Sequence, residues 1–588
     1  MPQHVLPAPA RTAGRIFAWI LGAVLLLAVV AAGWIGVRGV LAANHLLAAQ
    51  ALVEDIATDL DNLADAEAVT AQLTEHSGSA RELTSDPVWQ TASGLPWVGP
   101  QLAAVASVAA GVDDIATGTV APLAASADGL TANAFLPADG RIDTAAFASF
   151  AEPAAQAAEN TAKVLADVTA IDRTPLAAPL AEIVAEFETL VGDAATTTDS
   201  IARAALLLPP MLGADGPRQH LLITQNNAEW RSLGGIAGAT SVIRTDAGAV
   251  TFAEHLSTAD YSSYPTSVLD LGDYGPIYSQ KPGRFIHNVT QVPDFALTGA
   301  LAAELAAREG VEVSSVISTD PVALSYLLAA TGPVQLPSGD TLTADNAVQL
   351  LLNEVYLRYE DPQMQDAFFA SAAAAVFEAL TTGATDPTAL LGALARAGDE
   401  HRLLLWSADE AEQALLAETT LAGAPPVSDS SVARLGVYLN DGTGSKMDFY
   451  MAPDVSLTWS GCTAGPRTLD VKITLQNDAP ADAATSLPAY ITGDGAFGVE
   501  AGLVRTVGEV YIPEGFEVVS SANSNGSGFG GGLVDGRQVL SYTLDTTSGE
   551  TGEILISLRT TADVPRAEAW VTPTADAALF PVVDATCG

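Results

Sequence analysis

The chain has 588 residues, of which 49% are hydrophobic and only 6% aromatic, so alanine supplies much of the apolar content. Asp and Glu number 69 against 25 Lys and Arg, which gives a formal net charge of −44. A chain this apolar is not intrinsically disordered, and its length predicts several domains. A surface this negative repels phosphate backbones, so we expect no nucleic-acid partner.

Residues 16–37 form an uncharged apolar segment that is long enough to cross the hydrocarbon layer of a membrane, about 30 Å thick. Arg11 and Arg15 precede the segment, whereas few cations follow it closely. This bias predicts that residues 1–15 are cytoplasmic and that the rest of the chain is extracytoplasmic. We therefore expect a single-pass signal-anchor in the cell membrane.

A cleaved signal peptide is the alternative, since the pair Ala42–Ala43 resembles a cleavage site. Signal peptides have apolar regions of about 7–15 residues, shorter than this segment, which favours the uncleaved anchor. Export also agrees with the cysteines. Cys462 and Cys587 are the two cysteines of the chain, and in an oxidising compartment we expect them to form one disulfide.

After the anchor, the sequence pattern changes twice and indicates three domains. Residues 44–208 carry apolar side chains at helical spacing, as at Leu180 and Ile183, which predicts an extracellular helical bundle. Residues 212–422 alternate strands with helices, as in a layered α/β core domain. In residues 430–588 the apolar period becomes two between Gly- and Asn-rich turns, which predicts a β-sandwich. The predicted fold class is multidomain α+β behind one transmembrane helix.

Local signals predict several element boundaries. Pro209 and Pro210, with the glycines that follow up to Pro217, indicate a linker. Asp294 and Gly310 are placed to begin and end a helix. We predict a strand over Gln219–Thr224, a polar loop over Gln225–Gly235 and a second strand over Ile236–Arg244. In the C-terminal region we predict strands over Lys446–Met451 and Val504–Tyr511 and a flexible turn over Gly528–Gly532.

The polar loop, QNNAEWRSLGG, is the strongest candidate for a ligand site, because it follows an apolar strand and ligands often bind at strand ends in α/β sheets. A guanidinium can hold a phosphate or carboxylate through two hydrogen bonds, and glycines let a ligand approach the backbone. The alternative is a structural turn in which Glu229 pairs with an arginine. The candidate ligand-binding residues here are Asn226, Asn227, Glu229, Arg231, Gly234 and Gly235.

Two further polar sets are candidates. Within residues 281–294, Arg284, Asn288 and Asp294 accompany a lysine and a histidine, and the alternative is a solvated surface loop. Tyr356 and Arg358 lie near the end of a predicted helix. There the alternative is that Arg358 stabilises the C-terminal end of the helix dipole.

Motifs that would identify an enzyme are missing from the sequence. It has no G-x-S-x-G, no P-loop and no H-E-x-x-H motif, so catalytic residues stay unassigned. Cysteine and histidine spacing also predicts no metal site.

The loop QNNAEWRSLGG and the later stretch STDPVALSYLLAATGPV, Ser318–Val334, resemble the signature of a bacterial family catalogued as domain of unknown function 4012. Its members are similar to this chain in layout, with one N-terminal membrane helix, a helical region and an exported core. The resemblance covers residues 215–425 and implies a membrane-anchored envelope protein rather than an activity.

A weaker similarity is to the LytR-CpsA-Psr phosphotransferases, which move glycopolymers from polyprenyl-pyrophosphate carriers onto peptidoglycan. The strand before Arg231 is similar to that family's strand and arginine loop, and Tyr356-Leu-Arg358 is similar to its Y-x-R motif. Arg284 precedes Asn288 as a basic residue often precedes an Asn there. The family's Arg-Ser-Asp motif is replaced by RSLGG, which lacks the metal-binding carboxylate. The similarity implies a pocket for an anion or a lipid carrier.

Three hypotheses follow. In the first, the α/β core of a cell-envelope protein binds an anionic glycan or a polyprenyl-phosphate-linked ligand in wall-polymer assembly, with Arg231, Arg284 and Arg358 gathered in one cleft. The second is a divergent LytR-CpsA-Psr-like phosphotransferase, which requires Mg²⁺ held by carboxylates such as Glu229 or Asp294. The third is a non-catalytic envelope interaction scaffold. The sequence leaves open the ligand, catalysis, the oligomeric state and the pathway.

Overall fold

The computed structural model describes residues 8–58, 66–127, 140–382, 387–460 and 466–585. The chain divides into two compact units, one formed by Met1–Phe135 with Asp143–Pro209 and the other by Leu136–Ile142 with Pro210–Gly588. An apolar N-terminal helix followed by further helices and several sheets confirms a mixed α+β architecture.

The predicted disulfide cannot be compared with the structure, because Cys462 and Cys587 lie outside the described residues. It stays a prediction.

The first unit is helical in its described parts. α1 extends over Ala8–Thr58, and its Trp19–Leu52 stretch is apolar and long enough to cross a membrane. Val98–Ser126 also meets these criteria of length and composition, although 33% of its most apolar window is buried. The other helices are α2 (Ala66–Thr84), α3 (Pro87–Ser93), α4 (Val98–Ile115), α5 (Ala121–Ala127), α6 (Thr144–Thr169) and α7 (Ala178–Met211), with a π-helical turn at Ala116–Val120.

Capping and amphipathic spacing account for these helices. The Asp86 carboxylate accepts hydrogen bonds from the Val88 and Trp89 amides at 2.7 and 3.1 Å, which begins α3 directly before Pro87. Asp143 caps α6 in the same way. The buried positions of α6 recur at helical spacing and include Phe147, Phe150, Ala154, Ala157, Thr161, Val164 and Val168.

The second unit begins with a five-stranded sheet of order β3-β2-β1-β4-β7. The strands of this half are β1 (Arg218–Arg231), β2 (Gly234–Asp246), β3 (Ala249–Leu256), β4 (Ser315–Thr319), the short pair β5 (Val334–Gln335) and β6 (Thr341–Leu342), and β7 (Leu404–Ser407). β1 pairs antiparallel with β2 and parallel with β4, so it is the central strand. Leu221 and Ile223 on this strand are fully buried.

Helices and helical turns connect these strands. The α-helices are α8 (Gly275–Tyr278), α9 (Phe295–Arg308), α10 (Pro321–Thr331), α11 (Ala347–Gln349), α12 (Val355–Arg358), α13 (Pro362–Thr382), α14 (Pro387–Asp399) and α15 (Glu410–Leu416). A π-helical segment, Leu350–Glu354, joins α11 to α12, and 3-10 turns cover Thr258–Asp260, Gly272–Tyr274, Lys281–Gly283, Ile286–Gln291 and Thr420–Ala422. The prediction that Asp294 begins a helix is confirmed, since its carboxylate accepts from the Ala296 and Leu297 amides.

The predicted polar loop over Gln225–Gly235 is wrong. Gln225–Arg231 continue β1, and Gly234–Gly235 already belong to β2. The pairing jumps from Asn226 opposite Ile236 to Trp230 opposite Gly235, which is a β-bulge. Polarity suggested a loop, but these polar side chains are buried and have partners in distant parts of the sequence.

The predicted linker is also wrong in part, because Pro209 and Pro210 lie in the last turn of α7, which ends at Met211. The hydrophobic pattern of α7 continues up to these residues, and its end is instead marked by Gly213, which has a φ of +76°.

The described residues of the C-terminal half form one sheet of four strands and one of six. Their strands are β8 (Val432–Asp441), β9 (Met451–Ser460), β10 (Arg467–Asn477), β11 (Val504–Tyr511), β12 (Phe516–Asn523), β13 (Gly530–Val534), β14 (Arg537–Thr546), β15 (Thr551–Thr560), β16 (Arg566–Val571) and β17 (Val582–Asp584), with α16 (Ala483–Ser486), α17 (Ala489–Thr492) and a 3-10 turn at Met447–Tyr450. The sheet orders are β12-β15-β10-β9 and β13-β14-β11-β8-β16-β17. One hydrophobic cluster contains residues of both sheets, for example Val437 and Ile473.

Two local predictions in this half are wrong. Lys446–Met451 is not a strand, because Met447–Tyr450 form a 3-10 turn and β9 begins at Met451. The glycines of Gly528–Gly532 do not form only a flexible turn, since β13 begins at Gly530 and pairs with β14. Hydrogen bonds between backbone groups form this strand, and the backbone of a glycine can make them like that of other residues.

A buried ion pair connects the two halves of the second unit. Arg402 is fully buried, and its guanidinium donates to Asp320 Oδ2 at 2.8 Å and to Glu400 Oε2 at 2.9 Å. The same guanidinium donates to the carbonyl oxygens of Thr574 and Asp576 at 2.8 and 2.6 Å. Because the guanidinium serves acceptors from three segments, its loss leaves several buried acceptors without a donor.

We expect Arg402→Ala to lower the free energy of unfolding by about 3–5 kcal/mol, because it leaves the Asp320 carboxylate buried and without its cation. Chemical denaturation of the purified protein measures this. The matched control is Arg559→Ala, which removes a solvent-exposed pair with Glu517 and should cost less than about 1 kcal/mol. Equal losses from the two substitutions would contradict the structural role assigned to Arg402.

Candidate functional site

The bulge in β1 determines the geometry of the candidate site. Residues 227–229 have no partner in β2, so their side chains are released from the strict alternation of a strand. The amide of Asn227 donates to Asp320 Oδ2 and to the Pro573 carbonyl at 3.0 and 3.1 Å. The backbone amide of Trp230 donates to Asp448 Oδ2 at 2.8 Å. The bulge therefore packs against the C-terminal half of the unit.

Glu229 lies between two cations. Its Oε1 accepts from Arg231 Nη2 at 2.8 Å, and its Oε2 accepts from Lys446 Nζ at 2.5 Å. All three side chains are at most 10% exposed. Burial alone would raise the pKa of Glu229, but Lys446 and Arg231 lower it below its usual value. Burial would likewise lower the pKa of Lys446, yet Glu229 raises it. Glu229 and Lys446 are therefore both charged at neutral pH.

The two glycines after Arg231 serve this packing rather than a ligand. Gly234 has a φ of +133°, which residues with a side chain rarely adopt. A Cβ at Gly235 would lie 2.3 Å from the Asn226 carbonyl oxygen, so the close approach of β2 to the bulge requires glycine there.

Other buried carboxylates surround this centre. Burial raises the pKa of Asp441 to about 6, and repulsion from Glu229 adds to the effect. Burial also raises the pKa of Asp448 well above its usual value, with Asp441 contributing. Burial raises the pKa of Glu509 to about 8, although a hydrogen bond from Asn440 opposes the change. Near neutral pH, part of this acidic group is therefore protonated.

A polar cleft of about 820 Å³ opens beside Glu229. Three cations line it, Arg231, Lys281 and Lys446, against two carboxylates, Glu229 and Asp441. Its other lining residues are Ile236, Phe285, His287, Asn288, Gly442, Gly444, Ser445, Ala489, Tyr490, Gly493 and Phe497. Burial lowers the pKa of His287, so this imidazole is neutral. The cleft therefore carries a positive balance in a chain of net charge −44.

A second cavity, of about 350 Å³, lies against the sheet. Its walls are mainly apolar side chains of β1, β2, β4, α10, the π-helical segment and α13. The apolar lining residues are Leu222, Ala239, Ile243, Phe252, Ile317, Pro321, Leu324, Leu327, Leu351, Leu352, Phe369, Ala372, Ala373, Val376, Phe377, Leu380 and Leu403. This size lies within the range of roughly 300–1,000 Å³ that is usual for small-molecule sites.

The apolar pocket and the polar cleft share two wall residues, Lys446 and Tyr490. The Tyr490 ring stacks on that of Tyr356, with the centroids 5.5 Å apart. The Tyr356 hydroxyl accepts a hydrogen bond from the Asn226 amide, and both residues line the apolar pocket. One end of the apolar pocket is thus formed by polar and aromatic groups, of which Lys446 and Tyr490 also border the cleft.

The structure does not bring the three predicted arginines together. Arg231 lines the cleft and donates to Asn288 Oδ1 at 3.1 Å. Arg284 donates from Nε to the Tyr264 carbonyl at 2.6 Å and lies over the Phe285 ring. Arg358 is partly exposed and pairs at 2.7 Å with both Asp340 and Glu354. Asp294 is engaged as the cap of α9.

Several residues of the site were not found by sequence reasoning, namely Asp441, Lys446, Tyr490 and Phe497. A signal was available for one of them. The chain has four lysines, and two of these, Lys281 and Lys446, line the cleft. Their rarity could have identified Lys446, which lies in the turn DGTGSK between β8 and β9. In the described part of the chain, no three His, Cys, Asp or Glu side chains are grouped as metal ligands.

The fold and the site thus describe a mixed α+β protein in which an apolar pocket adjoins a cation-lined cleft. A family model described as a protein of unknown function, DUF4012, matches residues 215–356. This match covers β1, the bulge and the helices up to Tyr356, and it confirms the resemblance over that stretch. No curated protein and no solved structure matches the chain.

We expect the stability of the protein to fall as the pH rises from about 5 to 8, in part because of Glu509. Its pKa is about 8 in the folded protein and 4.5 for an unperturbed glutamate, so the folded state binds the proton more tightly than the unfolded state. Folding therefore loses free energy as the pH rises through this interval. In Glu509→Gln the slope should flatten, and the variant should gain on the order of a few kcal/mol at pH 8.

Denaturant titrations at a series of pH values measure this effect. Glu553→Gln changes a partly exposed glutamate on β15, which is paired with Lys472, and should leave the slope as it is. An unchanged slope in Glu509→Gln would show that the buried carboxyl does not titrate as described.

Proposed function

We propose that this protein is a membrane-anchored cell-envelope protein whose second unit binds an anionic amphiphile of the polyprenyl-phosphate class. The observation that carries the proposal is that the apolar pocket and the cation-lined cleft share Lys446 and Tyr490. A ligand placed across this junction has its tail in the pocket and its charged head in the cleft.

The pocket favours a lipid-linked ligand over a free glycan. Polar residues such as Ser241 and Asp366 line part of the pocket, but leucine, phenylalanine and alanine side chains form most of its wall. Most polar groups of a sugar would therefore lose their hydrogen bonds to water there without replacement. An isoprenoid tail gains free energy from the same burial, by roughly 25 cal/mol per Å² of apolar surface. We therefore propose that the hydrocarbon part next to the head group occupies this cavity.

The cleft favours an anionic head. Within the cleft wall, the two carboxylates of Glu229 and Asp441 balance the two buried cations, Lys446 and Arg231. Lys281 adds an exposed ammonium group. In a protein that is otherwise strongly acidic, such a local surplus attracts a phosphate or pyrophosphate. Arg231 contributes through its position beside Glu229 rather than as a free guanidinium.

The finer layout belongs to the same proposal. Residues 16–37 cross the membrane once with a cytoplasmic N-terminus, and the remaining chain is extracytoplasmic. Residues 212–422 act as an α/β core, and the two C-terminal sheets pack as the predicted β-sandwich. The shared cluster around Val437 and Ile473 supports that packing.

Binding is better supported than phosphotransfer. The carboxylates that could hold Mg²⁺ by sequence are already engaged, Glu229 with two cations and Asp294 with the amides of α9. A divergent LytR-CpsA-Psr-like activity and a scaffold role stay as alternatives. Cleavage of a lipid-linked substrate in the presence of Mg²⁺ would favour the first. Stoichiometric protein partners found by proximity labelling would favour the second.

We expect Ala373→Phe to fill the apolar pocket and to weaken binding of a short polyprenyl phosphate at least tenfold, because the tail and the phenyl ring occupy the same space. Inorganic phosphate, which has no tail, should bind the variant as it binds the unchanged protein. Isothermal titration calorimetry with both ligands measures the two affinities.

Ala374→Phe is the matched control, since Ala374 is the next residue of α13 and is exposed. It should leave both affinities unchanged. If Ala373→Phe bound the polyprenyl phosphate normally, the tail would not lie in this pocket.

We expect Lys281→Gln to weaken binding of the same ligand several-fold and to reduce its dependence on salt, because one cation of the cleft is removed. The side chain is exposed, so the melting temperature should change little. Lys163→Gln, which alters an exposed lysine of α6, should affect neither property. A loss of affinity that is equal for the polyprenyl phosphate and for an uncharged prenol would contradict a charge-based role.

A further inference from the structure

The charge-free segment Pro87–Pro100 lies beside α1, close to the predicted outer end of the membrane span. Arg38 Nε pairs with Asp86 Oδ2 at 2.8 Å, directly before this segment. The indole of Trp34 donates to the same carboxylate at 3.3 Å. Ile35 packs against the buried cluster of Trp89, Ala92 and Leu102. The segment is thus held against the part of α1 where the span ends.

The packing of α4 fixes how deep the segment reaches. Leu102 of α4 shares a cluster with Ile35 of α1, and Ala116, directly after α4, shares a cluster with Ala49. The two helices therefore run in the same direction, with the same number of residues between the two contacts on each. Trp97 precedes Leu102 by five residues, which at 1.5 Å per residue places it about 7 Å below the level of Ile35. That level lies inside the predicted span, residues 16–37.

The tip of the segment exposes large apolar side chains. Trp97 is 90% exposed, Leu95 is 54% exposed and Val98 is 53% exposed. In water, exposing these three side chains together costs free energy through the hydrophobic effect. Trp side chains are enriched where the hydrocarbon layer of a membrane meets the head groups.

The backbone holds Trp97 outward at an energetic cost. Its φ and ψ are 70° and −50°, and the Val98 amide donates to the Pro96 carbonyl at 2.9 Å, which defines a γ-turn of the rare type. Such strained turns persist only where the surrounding structure imposes them. Here the Gly99 amide donates to the Leu95 carbonyl at 2.9 Å, and a Cβ at Gly99 would lie 2.4 Å from the Ser93 carbonyl oxygen.

The charge pattern is suited to a membrane. Residues 87–112 contain no Asp, Glu, Lys or Arg, although the chain has 69 acidic residues. Acidic side chains at this level would be repelled by anionic lipids and would be costly to move into the head-group layer. The flanking cation, Arg38, lies where it can contact lipid phosphates or stay paired with Asp86.

We propose that Leu95–Val98 is a second membrane contact, in which the loop between α3 and α4 inserts Trp97 into the outer leaflet beside α1. It rests on the anchor topology proposed above and goes beyond the ligand site of the second unit. Two contacts with the bilayer, the span and this loop, restrict rotation of the helical unit relative to the membrane surface.

Spin labels on the full-length chain in vesicles of phosphatidylcholine and phosphatidylglycerol test this proposal. Labels are attached to Trp97→Cys in the loop, Leu27→Cys in the span and Val427→Cys, an exposed apolar position of the second unit. The chain without substitutions supplies the background from Cys462 and Cys587. Collision rates with oxygen, which concentrates in lipid, and with a water-soluble nickel chelate are then compared.

The ratio of oxygen to nickel collisions at position 97 should exceed that at position 427 several-fold and should approach that at position 27. A low ratio at position 97 with a high ratio at 27 overturns the loop contact and leaves the anchor intact. Low collision rates with both reagents at 97 mean that a protein partner or a second copy covers the loop, which also overturns it. A low ratio at 27 removes the anchor on which the inference rests. Should Trp97→Cys fail to reconstitute, Leu95→Cys reports on the same loop.

Discussion

The arrangement of the second unit depends on one buried carboxylate. A bulge in β1 takes the Glu229 side chain out of the regular alternation of the strand. The carboxylate lies between Arg231 of the same strand and Lys446 of the turn between β8 and β9. Two buried cations without this anion would each suffer the full cost of desolvation. With it, the C-terminal turn that carries Lys446 is held against the central strand of the first sheet. Asp441 balances the second of these cations, and Lys281 leaves a positive surplus at the cleft wall.

The positive surplus of the cleft is relevant to ligand binding because the apolar pocket adjoins the cleft. On one side of Lys446 and Tyr490 the walls are mainly apolar, and on the other they carry cations, carboxylates and the Asn288 amide. The walls thus change from mainly apolar to charged across the side chains of Lys446 and Tyr490. An amphiphile has the same pattern, since its hydrocarbon chain is joined directly to a charged group. The N-terminal helix is apolar and long enough to cross a membrane, and membranes are where amphiphiles of this kind are found.

The sequence predicted those elements whose cause is local. Alternating apolar residues predicted the strand Val504–Tyr511 with the bounds that the structure shows, and the capping geometry of Asp294 predicted the start of α9. It failed where the cause is distant. Gln225–Arg231 have the composition of a loop, yet they form a strand because Asp320, Asp448 and Pro573 accept their hydrogen bonds. The same limit explains the candidate site, since Lys446 lies 217 residues from Glu229.

We propose that a lipid tail occupies the apolar pocket while its head lies at Lys446. Photo-crosslinking tests it most directly, using a polyprenyl phosphate with a diazirine in the first isoprene units and mass spectrometry of the digested protein. We expect adducts on pocket residues of α13 and α10, such as Phe369 and Leu324, that are suppressed by unlabelled polyprenyl phosphate. Adducts confined to α1 or to the surface of the C-terminal sheets, with these helices unmodified, would contradict it.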